Sequence, residues 1–364
     1  MIKFRKEQPI AILCFMVKIM KNVTIYTLAE ELNMNPTIVS RAFNPNANVS
    51  QKKRELILKT AKKYNFVPNK MASRLSMREI KIGVLLYFHF EPFYSELIKG
   101  INAAHESLKD YKIKCDLRFL DKHRHTIDEC REVLNELAEY DGIIVGGLSD
   151  SGDCDVLDEI YRKNTNLVLL HTDSLSKKRL FGSFLDDALS AEIAAEFLHN
   201  CLYFSKRRNV VLFTGDTSSD THKCRLNSFL SASEEYGFNI LEVYNMEDSS
   251  DRLREICNNQ LSNRLSEIDG IYITSGNSTE LCGFLEQNNC ADSIALVTFD
   301  TYPKLNEYIK KGVINATVYQ NLFGQAKSAY ENLFYYISEN REVPDVIGTH
   351  CELVMKHNLH LYTE

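Results

Sequence analysis

The sequence predicts an α/β chain of two doubly wound parallel-sheet lobes, preceded by a small all-α head. Three observations predict it. Apolar strand-like runs alternate with amphipathic helical segments across residues 80–364. Short helical patterns without strand signals fill residues 24–64. The formal net charge of −6 is divided unevenly: positions 21–81 hold 12 Lys/Arg against 4 Asp/Glu, a balance of +8, whereas position 82 onward carries −17. A basic head on an acidic body points the head toward a polyanion, although a solvated basic helix face gives the same balance.

A length of 364 residues suits one small unit plus a large body. Hydrophobic residues at 44% build real cores, and charged residues at 25% are ordinary for a soluble globular chain. The ten cysteines, at 14, 115, 130, 154, 201, 224, 257, 282, 290 and 351, form no CxxC pair and no zinc spacing. They read as buried reduced thiols of a cytoplasmic protein. The run PIAILCFMV at 9–17 follows Lys3, Arg5 and Lys6, but it is too short to span a bilayer and no small-residue cleavage site follows. Residues 1–19 are read as a mis-start before Met20, with a disordered or membrane-associated extension as the alternative. Three further segments are expected: a helix-turn-helix domain at 20–67, a hinge or linker at 68–79, and a two-lobed effector-binding and dimerisation domain at 80–364.

Taken in order, TIYTLAEEL at 24–32 places apolar residues at 25, 28, 29 and 32, a helical spacing that Thr24 caps. Asn33-Met34-Asn35 is a tight turn, Asn35 an N-cap and Pro36 a first helical residue. In PTIVSRAF at 36–43, Ile38, Val39 and Ala42 point inward, while Thr37, Ser40 and Arg41 point out. Ser50 caps a third helix to about Tyr64, with Leu56, Ile57, Thr60 and Ala61 on one face and Lys52, Lys53, Arg54, Lys59, Lys62 and Lys63 on the other. Two helices joined by so short a turn describe a helix-turn-helix. Its second helix suits the major groove, with Arg41 toward guanine and Thr37 toward a base or thymine methyl. Thr24, Tyr26, Ser40 and Asn44 suit phosphates. From pattern alone, a plain three-helix bundle with Arg41 solvated fits as well.

Residues 23–75 carry Thr24, Leu28-Ala29, Thr37-Ile38-Val39-Ser40-Arg41, Asn44, Val49-Ser50 and Phe66-Val67-Pro68-Asn69 almost without gaps. This stretch resembles the head of the lactose repressor/galactose repressor (LacI/GalR) family, with Thr27-Leu28 where Asp-Val is common and Lys53 where Thr is common. The resemblance implies operator binding through the second helix, Pro36 included. It also implies a hinge helix in NKMASRLS at 69–76. There Leu75 would wedge into the minor groove, flanked by Ala72 and Arg74, with Asn69 and Lys70 near phosphates. An ordinary linker is the plain alternative.

In the body, strands are expected at 80–88, 114–120, 142–145, 166–171, 209–214, 239–243, 270–274 and 294–299, in two blocks at about 80–180 and 205–300 that suggest two lobes, with strands crossing back near the end. Helices are expected at 94–108, 130–139, 190–201, 225–236, 251–265 and 278–287. Ligands of such folds sit at the carboxyl ends of strands. The segment HFEPFY at 89–94 resembles the one that opens the sugar site of ribose-type periplasmic binding proteins and their repressor relatives. It implies Phe93 and Tyr94 as a sandwich for a sugar ring, with one of them in the core as the alternative. The same resemblance implies Arg225, Asn277, Asp300 and Gln320 as polar ligand contacts and Asp186 at the lobe crossover. Asp150, after GIIVGGLS, is a further candidate. Convergent Arg, Asp, Asn and Gln suit an uncharged polyhydroxylated ligand.

No Walker A loop, GxGxxG, HExxH or GxSxG occurs, so neither catalysis, cofactor nor metal is expected. His89, His123, His125, His171 and His222 read as isolated or solvated. The expected function is a DNA-binding transcription regulator, a repressor by preference. It would act as a homodimer on double-stranded operator DNA under control of a small sugar or sugar derivative. A sugar-binding transport protein of the same two-lobed fold is the alternative from another class. A regulator answering a nucleobase or protein corepressor is the alternative within the class.

Overall fold

The computed structural model describes residues 23–43, 48–64, 66, 78–88, 90–121, 124–147, 151–172 and 178–363. The chain divides into two compact units between Met77 and Arg78. The mis-start or extension at 1–19 and the hinge at 69–76 lie outside the described residues. No helix among the described residues is long and apolar enough to cross a membrane.

The first unit contains α1 (Ile25–Glu31), α2 (Pro36–Ala42) and α3 (Gln51–Lys63). Local hydrogen bonding starts the first two. Thr24 and Thr27 form a reciprocal capping box, and the Asn35 Oδ1 accepts the Thr37 N–H at 2.8 Å ahead of Pro36. The α1–α2 turn is made by Asn33 in the left-handed region, φ 50°. Leu28, Val39, Ala42, Ile57 and Ala61 close one small core. Three details differ from the sequence reading. Ser50 stands at the N-cap of α3 without a side-chain cap bond. Leu56 is exposed, a residue too far around the helix to share the Ile57–Ala61 stripe. Arg54 leaves the basic face: its guanidinium donates to the Ala42 carbonyl at 3.0 Å and so satisfies the end of α2.

The second unit alternates strand and helix. Its first part runs β1 (Ile80–Phe88), α4 (Glu91–Ser107), β2 (Ile113–Asp121), α5 (Ile127–Leu137), β3 (Gly142–Gly146), α6 (Ser151–Lys163), β4 (Leu167–Leu170) and β5 (Phe181–Leu185). There follow α7 (Asp187–Cys201), β6 (Asn209–Thr214), α8 (Asp220–Tyr236), β7 (Asn239–Asn245), α9 (Ser250–Ile256), β8 (Gly270–Ile273), α10 (Thr279–Gln287) and β9 (Ala295–Phe299). The chain closes with α11 (Pro303–Lys311), β10 (Ala316–Tyr319), α12 (Leu322–Glu339), β11 (Val346–Thr349) and β12 (Glu352–Val354).

One sheet has the order β11-β5-β4-β3-β1-β2, entirely parallel; the other is β12-β10-β9-β8-β6-β7, parallel except for β12. Both are doubly wound, since β2 and β3 flank β1 just as β7 and β8 flank β6. The central strands are buried on both faces, which is why they read as unbroken apolar runs.

The strands that cross back near the end are β11 and β12, and the first crossover falls at Asp186, between β5 and α7. The chain passes between lobes after β5, after β10 and between β11 and β12, so β5 and α7 fill the gap left between the blocks. α12 returns to the first lobe, where its backbone seats against Gly100: a Cβ there would come within 2.3 Å of the Phe323 carbonyl and 2.8 Å of the Ala326 Cβ. α6, α11, α12 and β5 were not named in advance, and β10–β12 were expected only as strands near the end, without bounds. β5 (FGSFL) and β10 (ATVY) are buried but short, with too few residues for a periodic signal.

Candidate ligand-binding cleft and helical head

The carboxyl ends of the strands from both lobes open on one cleft. Phe90 and Phe93 follow β1, Gly147 follows β3, and His171 and Thr172 follow β4. The second lobe supplies His222 and Arg225 on α8, Asp248 after β7, Ser275 to Asn277 after β8, Asp300 and Tyr302 after β9, and Gln320 after β10. About 570 Å³ of non-atom space lies within it, the open solvent at its mouth included.

Arg225 is the centre of the polar wall and is 2% exposed. Its Nε donates to Asp187 Oδ1 at 2.7 Å, one terminal nitrogen to the Thr274 carbonyl at 2.9 Å, the other to Gln320 Oε1 at 2.5 Å. Its guanidinium also lies 3.9 Å from the centre of the Phe299 ring. Gln320 turns its amide to Asp300 Oδ2 at 2.6 Å, and the Tyr302 hydroxyl donates to the same oxygen at 2.8 Å. Burial pushes the Asp300 carboxyl up to about 6, against the opposing pull of Tyr302, Arg225 and Gln320. Asn277 accepts from the Ser250 hydroxyl at 2.8 Å and donates to the Asp248 carbonyl at 2.7 Å. Asp300 and His171 both sit at positive φ, 68° and 71°, so the backbone is strained at two strand ends that border the cleft.

The structure brings Phe93, Arg225, Asn277, Asp300 and Gln320 together. It does not bring Tyr94 or Asp186 with them. Tyr94, one residue past Phe93 on α4, turns away to pack on Phe88 with ring centres 4.1 Å apart; Phe90 lines the cleft in its place. Asp186 is the N-cap of α7: its Oδ1 accepts the Leu189 N–H at 3.0 Å, so its neighbour Asp187 is the carboxylate that meets Arg225. Asp150 lies outside the described residues.

Several histidines depart from the isolated or solvated reading. His171 and His222 line the cleft; His222 Nε2 stands 3.3 Å from Asp248 Oδ1 and its Nδ1 2.9 Å from Thr274 Oγ1. His125 is half-buried in the first lobe, with Nε2 3.1 Å from Asp153 Oδ2. His89 and His123 lie outside the described residues. Position after a strand end was the available signal for His171, Ser275 and Asp248; nothing local marked His125.

The cysteines are also more varied than expected. Cys130, Cys257 and Cys282 are buried, and burial pushes each thiol up to about 12. Cys201 is exposed and Cys115, Cys154, Cys224, Cys290 and Cys351 are half-buried. Cys14 lies outside the described residues.

On the head, Thr24, Tyr26, Thr37, Ser40 and Arg41 are exposed and Pro36 is half-buried. Tyr26 is 70% exposed, high for a tyrosine with no core to cover it. Thr37, Ser40 and Arg41 share the outer side of α2 while Val39 and Ala42 are buried beneath. Asn44, Asn69, Lys70, Ala72 and Leu75 lie outside the described residues.

The family described as the periplasmic binding protein domain matches residues 82–341. Among curated proteins, the chain is 37% identical over 134 residues to the NTD biosynthesis operon regulator NtdR of Bacillus subtilis, covering 36% of this chain and 39% of that protein. It is 26% identical over 224 residues to the HTH-type transcriptional regulator DegA of Bacillus subtilis, covering 60% and 63%. It is 30% identical over 128 residues to the catabolite control protein A of Staphylococcus xylosus, covering 34% and 37%. The chain thus spans less than two thirds of the length of each of these three regulators.

Among solved structures, a glucose-galactose binding protein from Geobacillus stearothermophilus superposes with a TM-score of 0.67 at 23% identity, over 78% of this chain and 99% of that one. A carbohydrate transporter solute-binding protein from Agrobacterium radiobacter, in complex with D-arabinose, reaches 0.71 at 16% identity, over 79% and 100%. At these identities the likeness is one of fold. With the family match covering most of the chain and the two doubly wound lobes meeting at one polar cleft, the chain belongs to the family of the periplasmic binding protein domain.

Proposed function

We propose that the chain is a DNA-binding transcription regulator, a repressor by preference, whose grip on operator DNA is tuned by a small polyhydroxylated ligand in the two-lobed body. The observation that carries this reading is the side of α2 that holds Thr37, Ser40 and Arg41 clear of a core formed by Val39 and Ala42. Three polar side chains at helical spacing, on a helix begun by Asn35 and Pro36, suit base edges and phosphates of duplex DNA. The names of the curated relatives, transcription regulators and a catabolite control protein, support it. The cleft suits binding rather than catalysis, for its polar groups are tied to one another in a network that fits hydroxyl recognition. We further propose a homodimer, whose two-fold symmetry a pseudo-palindromic site would mirror.

The test is mobility-shift or anisotropy titration of the full chain against its own promoter region and against random duplex, at several salt concentrations. Binding to the promoter should fall steeply as salt rises. Arg41→Ala should cost about 1–3 kcal/mol on the promoter and relax base preference at one position. An equal loss on random duplex would remove the base-reading role, and no affinity for any duplex would end the proposal.

A further inference from the structure

Two helices, one from each lobe, begin on an aromatic residue where a cap would stand. Phe90 is the N-cap of α4 in the first lobe and Tyr302 the N-cap of α11 in the second, and neither side chain makes a cap hydrogen bond. Serine, threonine, aspartate and asparagine satisfy the open N–H groups at such a position, and phenylalanine has no oxygen to offer. Elsewhere in the chain Thr24, Asn35, Thr126, Asp186 and Ser249 do so. Pro92 and Pro303 lie within the first two positions of the two aromatic-capped helices and help to start them. Both aromatic residues line the same cleft. A local rule broken twice at one site is the mark of a tertiary role for both rings.

The two rings touch each other. Their centres are 5.5 Å apart and their planes cross at 75°, an edge-to-face pair. Phe90 is half-buried, and the apolar side chains it packs against belong to the core of the second lobe, although its own backbone is part of the first. Its carbonyl accepts the Phe93 N–H at 3.0 Å, so the ring is carried on the first turn of a 17-residue helix. On the other side Tyr302 is held in place. Its hydroxyl donates to Asp300 Oδ2 at 2.8 Å, and Gly276 leaves room for its ring, since a Cβ there would come within 2.7 Å of Tyr302 Cε2. The contact thus joins the start of a long helix in one lobe to a side chain that holds a cleft carboxylate in the other.

We propose that Phe90 is a latch between the lobes: it holds them together through Tyr302, and the cleft opens to ligand as this pair parts. The inference goes beyond the regulator reading above and stands whether or not the head binds DNA. An edge-to-face pair favours the seated state by about two- to tenfold beyond the area it buries, enough to bias the lobes toward contact without locking them. Because the Tyr302 hydroxyl is tied to Asp300, the latch and the polar wall of the cleft share one side chain.

The sequence holds no tryptophan, so Phe90→Trp in the full chain carries a single indole at the contact. Acrylamide quenching should find that indole shielded. Adding Tyr302→Ala should raise the quenching constant severalfold at unchanged far-ultraviolet circular dichroism, whereas adding Tyr302→Phe, which keeps the ring, should leave the indole shielded. If Tyr302→Ala lowers the dichroism, Gly276→Ala, which displaces the ring rather than removing it, takes its place. In the otherwise wild-type chain, Phe90→Ala should enlarge the radius of gyration measured by small-angle scattering at matched concentration. An indole open to acrylamide from the start, or one still shielded once the Tyr302 ring is gone or displaced, would show that Phe90 is not seated on the second lobe. An unchanged radius in Phe90→Ala would show that the contact does not hold the lobes together. Each of these results overturns the latch and leaves the regulator reading untouched.

Discussion

Replacing Asp300 with asparagine tests how the cleft balances burial against hydrogen bonding. The carboxyl is 4% exposed, and burial raises it from 3.8 to about 6. A rise of about two units corresponds to about 3 kcal/mol at 1.36 kcal/mol per unit. The direction follows from proton counting. The unfolded chain releases this proton near 3.8, while the folded chain holds it until about 6. Between those values the unfolded state binds fewer protons, so the contribution of Asp300 to stability is greatest below pH 4, falls as pH rises toward 6, and is level above it.

Asp300→Asn keeps an oxygen able to accept from both Tyr302 and Gln320 but cannot ionise. The wild-type-minus-variant difference should therefore decline by up to about 3 kcal/mol between pH 4 and 6, leaving the variant the more stable form at pH 7. Urea denaturation at half-unit pH steps, with m compared between the two chains, reads this directly. If the variant unfolds at lower urea at pH 7 with unchanged m, attraction to Arg225 outweighs burial and the reasoning fails.

Two other substitutions probe different parts of the chain. Arg225→Ala leaves the Asp187 carboxylate without its partner and empties a buried position, and should cost about 3–5 kcal/mol in urea denaturation; a loss below 1 kcal/mol would mean that the Arg225 network contributes little. Gly100→Ala places a methyl group against the Phe323 carbonyl and should push α4 from α12 at a cost of about 1–3 kcal/mol. An unchanged thermal midpoint would show that the two helices separate freely.

Much of the architecture was legible because the rules that govern it are local. The head announced itself through Thr24, Asn35 and Pro36, whose caps form from neighbouring atoms, and through an apolar stripe at helical spacing. The strands β1, β3, β6, β8 and β9 were visible as apolar runs because both of their faces are covered. Of the cleft residues, Arg225, Asn277, Asp300 and Gln320 were reachable because each stands within a few residues of a strand end, where doubly wound sheets place their ligands.

What spacing could not resolve was direction. Asp186 and Asp187 are equivalent in sequence, yet the first turns back to cap α7 and the second reaches Arg225. Phe93 and Tyr94 are separated by about 100° around a helix, so one lines the cleft and the other packs on Phe88. His222 and Asp248 lie on different elements and meet only because β6 and β7 are neighbours in the sheet. The amino-acid order by itself determined the helices of the head, the long buried strands and most of the helices between them, and which strand ends carry polar groups. Tertiary structure decided the lobe to which α12 returns and the carboxylate that neutralises Arg225, since these depend on distances between residues far apart in the chain.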